Sequence, residues 1–337
     1  MPSLSFSLQS SQPRRLIWLQ LHRPSSTHCI NELLPCRGRK FPGKSTAWMV
    51  RLKVYWSCRS TYDEKLLMIS LRSGSFGKVY KGVHQDGVKI VVKMLYDMPG
   101  LDDELFQNEF KNLTRLRHQN IVRLVGYCHD IQVVQVMHEG KLVLAEKTHR
   151  ALCLEYMSNG SLDKYDWHTC YGIIKGIFQD LKYLQNELKS PIYHLDLKPA
   201  NVLLDENMVP IIADFGMSRL FGDEQTQSTK SSLGTIGYLP PEYIYYNLIS
   251  NKFDIFSMGV IIMKIMAGRA GYFNSADMSS EEFTNLVQES WTNRLLETSN
   301  LRRAYSEQVK ICIEVGLSCV QEDRQERPTI QDILPIY

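Results

Sequence analysis

The sequence predicts an α+β protein that begins with a small antiparallel sheet and one helix and continues as a larger, mostly helical part. Two β-patterned runs, 79–81 and 88–94, flank a turn containing Asp86 and Gly87, a strong hairpin signal. Further along, apolar residues recur at steps of three and four, which marks the buried face of a helix. The first face is formed by Phe106, Phe110, Leu113 and Leu116, and a later one by Ile173, Ile177, Leu181 and Leu184.

The other elements are less distinct. Residues 66–71 predict only a weak first strand, whereas 121–128 and 151–156 predict two further strands. Between these two lies a long insert, 133–150, for which the pattern indicates no role. The apolar run 259–268 is too short for a membrane span and contains Lys264, so it predicts a buried core helix. We therefore expect no transmembrane segment in this chain.

Composition excludes some classes of function. The chain has 337 residues, a net charge of +3 and eight cysteines that form no C-x-x-C pair. Scattered cysteines of this kind suit a reducing compartment and do not predict a metal site. No clustered basic stripe with interleaved aromatic residues lies beyond residue 62, so we expect no nucleic-acid partner.

Two segments in the second half carry groups that phosphoryl transfer requires. They are 194–201 (HLDLKPAN) and 214–216 (DFG). Phosphoryl transfer needs positioned Mg²⁺, neutralisation of charge and an oriented hydroxyl group. Asp196 could accept the hydroxyl proton, Lys198 could lie over the γ-phosphate, and the side chains of Asn201 and Asp214 could hold Mg²⁺.

Three upstream features fit the same chemistry, although each alone has a more ordinary interpretation. Gly74 and Gly77 lie in a strand-turn-strand that could approach phosphates, but glycines also mark simple hairpins. Lys93 ends an apolar strand, where a lysine is more often solvated. Glu109 lies beside the apolar face of the first helix and could pair with Lys93, but a surface glutamate would give the same pattern.

Taken in order, these segments resemble the signature set of protein kinases. Segments 234–242 (GTIGYLPPE) and 254–260 (DIFSMGV) resemble the end of the activation segment and the start of the large C-lobe helix. Arg327 resembles the arginine that pairs with the glutamate of the P-E motif, here Glu242. The resemblance covers about residue 63 to the C-terminus and implies a bilobal protein-kinase fold with ATP and Mg²⁺, or alternatively Mn²⁺, as cofactors.

The resemblance also implies the adenine site. The hinge would bind adenine through backbone groups of Glu155 and Met157, with Leu154 as the gatekeeper behind the pocket. The purine would lie between three apolar side chains, those of Val79, Val91 and Leu203. An ordinary core role is compatible with all three, because the ring of ATP completes the hydrophobic core of a kinase.

Within the family, the sequence resembles plant receptor-like kinases, which are relatives of the interleukin-1 receptor-associated kinases. Segments 116–122 (LRHQNIV), 155–162 (EYMSNGSL) and 234–238 (GTIGY) carry this resemblance. Lys198 and Thr235 resemble residues of the serine/threonine kinases rather than of the tyrosine kinases. In serine/threonine kinases, this threonine bonds the catalytic aspartate and lysine. The alternative for Thr235 is a turn hydroxyl that bonds the local backbone.

Two positions depart from the family pattern. Arg72 replaces the first glycine of G-x-G-x-x-G, so we expect reduced ATP affinity. Leu195 replaces the catalytic-loop arginine, as in the non-RD kinases, and leucine cannot pair with a phosphorylated activation loop. We therefore predict that phosphates on the hydroxyl residues of this loop do not switch activity through this position. These residues are Thr226, Ser228, Thr229, Ser231 and Ser232.

Three regions are predicted: a basic Ser/Arg-rich extension over 1–62, an N-lobe over 63–157 and a C-lobe over 158–337. The extension resembles an organelle transit peptide, but a disordered tail is the preferred interpretation. The link 163–166 is shorter than usual for the family, which suggests a truncated first C-lobe helix.

The leading hypothesis is a serine/threonine protein kinase that transfers the γ-phosphoryl of Mg-ATP to hydroxyls of a protein substrate. The alternative is a catalytically weak or inactive kinase-fold scaffold that binds ATP, and Arg72 and the short link favour it. The resemblance implies a cytoplasmic protein, with association with the plasma membrane or a membrane receptor complex as a further expectation.

Overall fold

The computed structural model describes most of the predicted kinase-like region. The described residues are 66–74, 76–84, 87–96, 102–160, 167–221, 226–228, 234–274, 280–295 and 302–337. The predicted extension 1–62, the link 163–166 and the loop residues 229–233 lie outside them.

A five-stranded antiparallel sheet forms the first lobe, with strand order β1-β2-β3-β5-β4. A helix, α1, connects β3 to β4 in sequence. The first strand runs from Leu66 to Ser73 and pairs with β2, with one bulge between Ser70 and Arg72. The weak strand predicted over 66–71 was therefore an underestimate. The elements are β1 (Leu66–Ser73), β2 (Gly77–His84), β3 (Lys89–Leu95), α1 (Asp102–Arg115), β4 (Leu124–His138) and β5 (Lys141–Glu155).

The predicted periodicity explains how α1 joins the sheet. Phe106 and Leu113, which lie on its apolar face, are buried in the same cluster as Leu152 of β5. On β3, Ile90 and Val92 point to the buried face at the two-residue spacing of a strand. The packed helix thus places Glu109 opposite the end of β3, where Lys93 lies.

The insert 133–150 has a definite structure that the sequence prediction did not supply. It is the outer part of a long hairpin in which β4 pairs with β5 from Leu124 to His138. Two residues with positive φ connect the strands, Glu139 (49°) and Gly140 (76°). This combination is typical of the type I′ turns that favour two-residue hairpins.

The second lobe is mostly helical. Helix α2 precedes the segment predicted to be catalytic, and the short strands β6 to β9 surround that segment. The helices are α2 (Trp167–Lys182), α3 (Pro241–Tyr246), α4 (Phe253–Asn274), α5 (Ser280–Leu295), α6 (Arg302–Cys319) and α7 (Ile330–Ile333). The strands are β6 (Ile192–Tyr193), β7 (Val202–Leu204), β8 (Pro210–Ile212), β9 (Arg219–Leu220), β10 (Thr226–Ser228) and β11 (Leu248–Ser250).

Helix α4 is a core helix, as its apolar run predicts. Met258, Ile261 and Ile262 are inaccessible to solvent. Gly259 allows close contact with α6, because a Cβ atom there would lie 2.6 Å from the Cβ of Cys319. None of the described helices is long and apolar enough to cross a membrane. The antiparallel-sheet lobe and the helical lobe together confirm the predicted fold class.

A buried ion pair ties the end of the chain to the P-E motif. Arg327 Nη1 and Nη2 donate to Glu242 Oε1 and Oε2 at 2.9 and 2.7 Å. The hydroxyl of Ser250 donates to the same Oε1 at 2.8 Å, and the guanidinium lies over the ring of Phe256. The predicted pairing is therefore present, in the bidentate form that suits arginine and carboxylate.

Candidate active site

Lys93 joins the two lobes through two carboxylates. Its Nζ donates to Glu109 Oε2 of α1 at 2.7 Å and to Asp214 Oδ1 of the DFG segment at 2.6 Å. Burial alone would lower the pKa of Lys93, but the negative charges of Asp214 and Glu109 outweigh it and raise that pKa. Lys93 is therefore a permanent cation held where β3, α1 and the DFG segment meet.

The two carboxylates respond differently to the shared lysine. Burial raises the pKa of Glu109 to about 7, since Lys93 offsets only part of the lost hydration. Burial acts in the same sense on Asp214, but the nearby Lys93 charge prevails and lowers its pKa to about 2. Asp214 is also the more exposed carboxylate, with 23% of its side chain accessible against 1% for Glu109. The group that faces the cleft is thus the one that stays ionised.

Asp196 is held by hydrogen bonds from three side chains. Lys198 Nζ donates to its Oδ2 at 2.7 Å, and Thr235 Oγ1 donates to its Oδ1 at 2.6 Å. Asn201 Nδ2 donates to Oδ2 at 3.1 Å and to the backbone oxygen of Asp196 at 2.9 Å. Lys198 Nζ also donates to Thr235 Oγ1 at 2.7 Å. The carboxylate therefore has a fixed orientation, and the turn-only interpretation of Thr235 does not hold.

Asn201 and Asp214 offer oxygen atoms suited to a divalent cation. The Oδ1 atom of Asn201 is buried and has no hydrogen-bond partner among the described residues. The Asp214 carboxylate is ionised and accessible from the cleft. Mg²⁺ binds through one or two protein oxygens and completes its shell with water and phosphate oxygens, so this small donor set fits the ion. No cluster of three or more His, Cys, Asp or Glu that could form another metal site exists among the described residues.

Asp254 at the start of α4 fixes the backbone of the segment that carries Asp196. Its Oδ2 and Oδ1 accept hydrogen bonds from the backbone N–H groups of His194 and Leu195, at 2.7 and 2.9 Å. Leu195 has φ of 64°, a left-handed conformation that costs a non-glycine residue energy. The two bonds from Asp254 stabilise this strained turn.

The glycine-rich segment contains one position where only glycine fits. A Cβ atom at Gly77 would lie 2.1 Å from the backbone oxygen of Met94, whereas one at Gly74 would meet nothing nearer than 3.8 Å. The N–H of Gly74 donates to the backbone oxygen of Gly77 at 2.8 Å, which closes the turn. Arg72 Nη1 reaches the other lobe and donates to the backbone oxygen of Ala200 at 3.4 Å.

The match with known families agrees with this geometry. Residues 68–336 match the protein kinase domain family. The chain belongs to the protein kinase family.

Two of the similar proteins are receptor-like kinases of a plant. The kinase chain is 37% identical over 292 residues to the cysteine-rich receptor-like protein kinase 5 of Arabidopsis thaliana, covering 81% of this chain and 41% of that protein. It is 36% identical over 282 residues to the G-type lectin S-receptor-like serine/threonine-protein kinase SD1-13 of the same plant, covering 78% and 32%. The chain thus spans about two fifths or less of the length of these relatives.

The residues predicted to bind adenine lie where the two lobes of the kinase meet. Val79, Val91 and Leu203 are half-buried, as expected for side chains that line a cleft. Leu154 and Met157 are buried. The N–H of Glu155 donates to Arg123 O at 3.2 Å, and its carboxylate accepts the N–H of Arg123 at 3.0 Å. These bonds fix the segment between the lobes.

The structure adds functional residues that sequence patterns did not identify. Asn108, one residue before Glu109, donates from Nδ2 to the backbone oxygens of Gly216 and Ser218 at 2.8 and 2.6 Å. It therefore ties α1 to the DFG segment of the kinase. An asparagine on a helix carries no motif signal, whereas the anchoring role of Asp254 could have been inferred from its place in the DIFSMGV segment.

The departure at Leu195 is explained by its surroundings. Its side chain is fully buried in an apolar cluster with Tyr193, Phe221, Tyr243 and Phe253. A charged guanidinium would be costly to bury there. Leucine therefore matches the apolar cluster at this position, and none of the side chains that bond Asp196 belongs to that cluster.

Proposed function

We propose that this chain is a serine/threonine protein kinase domain that transfers the γ-phosphoryl group of Mg-ATP to hydroxyls of a protein substrate. The observation that carries the proposal is the hydrogen-bonded set Asp196–Lys198–Thr235, in which the carboxylate is oriented by a cation and a hydroxyl. The relatives named as serine/threonine kinases support the choice of acceptor.

Each residue has a distinct part in this proposal. Lys93, held by Glu109 and Asp214, binds the α- and β-phosphates, and Lys198 neutralises charge on the γ-phosphate. Asp196 orients the acceptor hydroxyl and accepts its proton. When bound, Mg²⁺ draws charge from the phosphate oxygens and holds them for transfer.

The nucleotide site completes the proposal. Asn201 and Asp214 would hold the metal ion with their side-chain oxygens. Mn²⁺ could replace Mg²⁺, because both ions favour such oxygen ligands. Backbone groups of Gly74, Gly77, Glu155 and Met157 face the nucleotide, and the apolar residues Val79, Val91 and Leu203 enclose the adenine.

A second candidate, the ATP-binding scaffold, is favoured by one observation. Arg72 donates to Ala200 across the cleft, and this contact holds the glycine-rich segment close to the segment that carries Asp196. Against the scaffold stands the complete set Lys93, Asp196, Asn201 and Asp214. We therefore prefer the active kinase of the non-RD type, and we propose that it acts in the cytoplasm. Association with the plasma membrane or with a membrane receptor complex is a further proposal, which the receptor-like relatives support.

Phosphoamino-acid analysis tests the serine/threonine assignment. The full chain is incubated with Mg-ATP and a generic protein substrate, and the labelled residues are identified. We expect phosphoserine and phosphothreonine, and a Thr235→Val variant should lose most activity while the conservative Thr235→Ser variant retains it. Phosphotyrosine as the main product would contradict the assignment. ATP binding by a folded chain without any labelled product would favour the scaffold.

A further inference from the structure

The outer part of the β4–β5 hairpin forms an arm that no other described strand supports. β3 pairs with β5 only between Ala151 and Glu155, so the stretch 141–150 of β5 has β4 as its sole strand neighbour among the described residues. On its other side, β4 is the edge strand of the sheet. A two-stranded hairpin is marginally stable in water and usually requires a further strand or a packed face.

Apolar residues occupy both faces of this arm. Because directly opposed residues share a face, the register divides the arm into two rows. One row contains Ile131, Val133, Met137, Leu142 and Leu144, which are 54 to 71% exposed. The opposite row contains Val134 and Val136, facing Ala145 and Val143. Exposed apolar surface concentrated on one element marks an interaction site.

The free edge of β4 has none of the usual protection against pairing. Between Asp130 and Glu139 the sequence is IQVVQVMH, without any Asp, Glu, Lys, Arg or Pro. Edge strands that remain unpaired normally carry charges, especially lysine, or proline. The inner strand of the same arm does carry charges, at Lys141, Glu146 and Lys147. Each strand of the arm has one edge without a described strand partner, and the edge of β4 is the one that no charge protects.

The turn geometry determines which backbone groups point outward. In a two-residue hairpin the flanking pair, here His138 and Lys141, exchanges both hydrogen bonds, and such pairs alternate with non-bonded pairs along the ladder. The odd-numbered residues from Ile131 to Met137 therefore direct their N–H and C=O groups to the free edge. A strand that pairs with this edge must therefore place its own unpaired backbone N–H and C=O groups opposite those of the odd-numbered residues.

We propose that a second copy of this chain pairs with the arm, β4 against β4 and antiparallel, about a two-fold axis at Val134. In this register Ile131 lies opposite Met137 of the second copy, and Val133 lies opposite its Gln135. All of these are outward-bonding residues, so each pair can exchange two N–H···O bonds. The apolar rows of the two arms then become continuous across a four-stranded sheet.

Charge and symmetry favour a second copy over another protein. The same register places Asp130 opposite His138 of the second copy, so an acidic side chain meets a basic one at each end of the pairing. The two-fold pairing uses the uncharged β4 edge of each copy. The outer edges that remain belong to β5, whose charges at Lys141, Glu146 and Lys147 oppose further pairing, so association stops at the dimer. The interface does not involve Asp196 or Lys93, so it is independent of the proposed kinase activity.

Sedimentation velocity of the full chain tests the proposal. Over about 1–100 µM we expect reversible monomer–dimer exchange with a dissociation constant in the micromolar range, as for a small interface. Val134→Lys places two lysines opposite each other at the axis and should raise the dissociation constant at least about tenfold. The matched control is Val143→Lys, the same change on the same face but on the inner strand, which should shift it by no more than about twofold.

A charge exchange tests the register. His138→Asp alone places two aspartates opposite each other and should weaken the dimer, whereas Asp130→Lys combined with His138→Asp restores complementarity and should recover it. Thermal unfolding checks that each variant is folded. A monomeric wild-type chain at 100 µM, or equal effects of the two lysine variants, would overturn the proposal. So would a folded double variant that does not recover dimerisation. Binding of a different protein by an arm that does not self-associate would also overturn it.

Discussion

Arg72 is the residue whose effect on the nucleotide site is the most direct to test. Its guanidinium bonds Ala200 across the cleft, and this contact must break or rearrange when phosphates enter beneath the glycine-rich segment. We predict that Arg72→Gly raises ATP affinity about threefold to tenfold, because the contact is a single exposed hydrogen bond. Isothermal titration calorimetry measures this. Weaker binding by the glycine variant would show instead that Arg72 binds phosphate.

Glu109 gives a prediction about pH. Its pKa in the folded chain is raised to about 7, above the ordinary value of 4.5. The folded state therefore keeps a proton that the unfolded chain releases, so ionisation destabilises the fold progressively as the pH rises from about 4.5 to 7. Glu109→Gln cannot ionise. The free energy of unfolding of the variant minus that of wild type should therefore increase between pH 5 and pH 8, by up to about 3 kcal/mol.

Urea unfolding of both proteins across this pH range supplies the comparison. In the variant, Lys93 donates to a neutral amide oxygen at every pH, so the weaker hydrogen bond is a constant that cancels in the comparison between pH values. A stability gap between the two proteins that does not change with pH would show that Glu109 remains ionised throughout.

At the scale of elements, the turn between β1 and β2 requires glycine at position 77 but not at position 74. Gly77→Ala would place Cβ 2.1 Å from Met94 O, a backbone atom that cannot move without distorting the strand pair. We predict a loss of about 1–3 kcal/mol in the free energy of unfolding, together with weaker ATP binding. Gly74→Ala is the matched control, since its Cβ would meet nothing nearer than the backbone oxygen of Gly77 at 3.8 Å. Equal losses for the two variants would contradict this account.

The activation segment is the element affected by the replacement at Leu195. Since a buried apolar side chain cannot hold a phosphate, replacing the five hydroxyl residues of the loop with alanine should leave at least about half of the activity. These residues are Thr226, Ser228, Thr229, Ser231 and Ser232. The initial rate of phosphate transfer, corrected for folded protein, provides the measurement. An inactive but folded fivefold variant would show that a phosphate in this loop is required by another route.

The elements also show where sequence patterns are informative. The amphipathic spacing of Phe106 and Leu113 predicted α1 because a helix buried on one side has a period of its own. The hairpin arm was missed for two reasons. Both of its faces are apolar, so its sequence lacks the alternation of a half-buried strand. Its turn residues, Glu139 and Gly140, are also not one of the standard hairpin pairs. The first strand appeared weak for a related reason, since its residues Ile69 and Leu71 are exposed.

For the whole molecule, the sequence motifs predicted the family and the two-lobed fold, because order and spacing in a kinase are set by the chemistry. The motifs could not predict contacts that depend on tertiary placement. Asn108 meets Gly216 across more than a hundred residues of sequence, and Arg72 meets Ala200 from the other lobe. Such contacts follow from how the lobes are arranged, which local patterns do not encode.

We propose that Asp196 is the base of a working phosphotransferase. The decisive measurement is the transfer of labelled γ-phosphate from Mg-ATP to a protein substrate by the full chain and by Asp196→Asn, with ATP affinity determined for both. We predict transfer by the wild type, a loss of at least about a hundredfold in the variant, and similar ATP affinities. Equal rates in the two proteins, or a folded wild type that binds Mg-ATP and transfers nothing, would contradict the account.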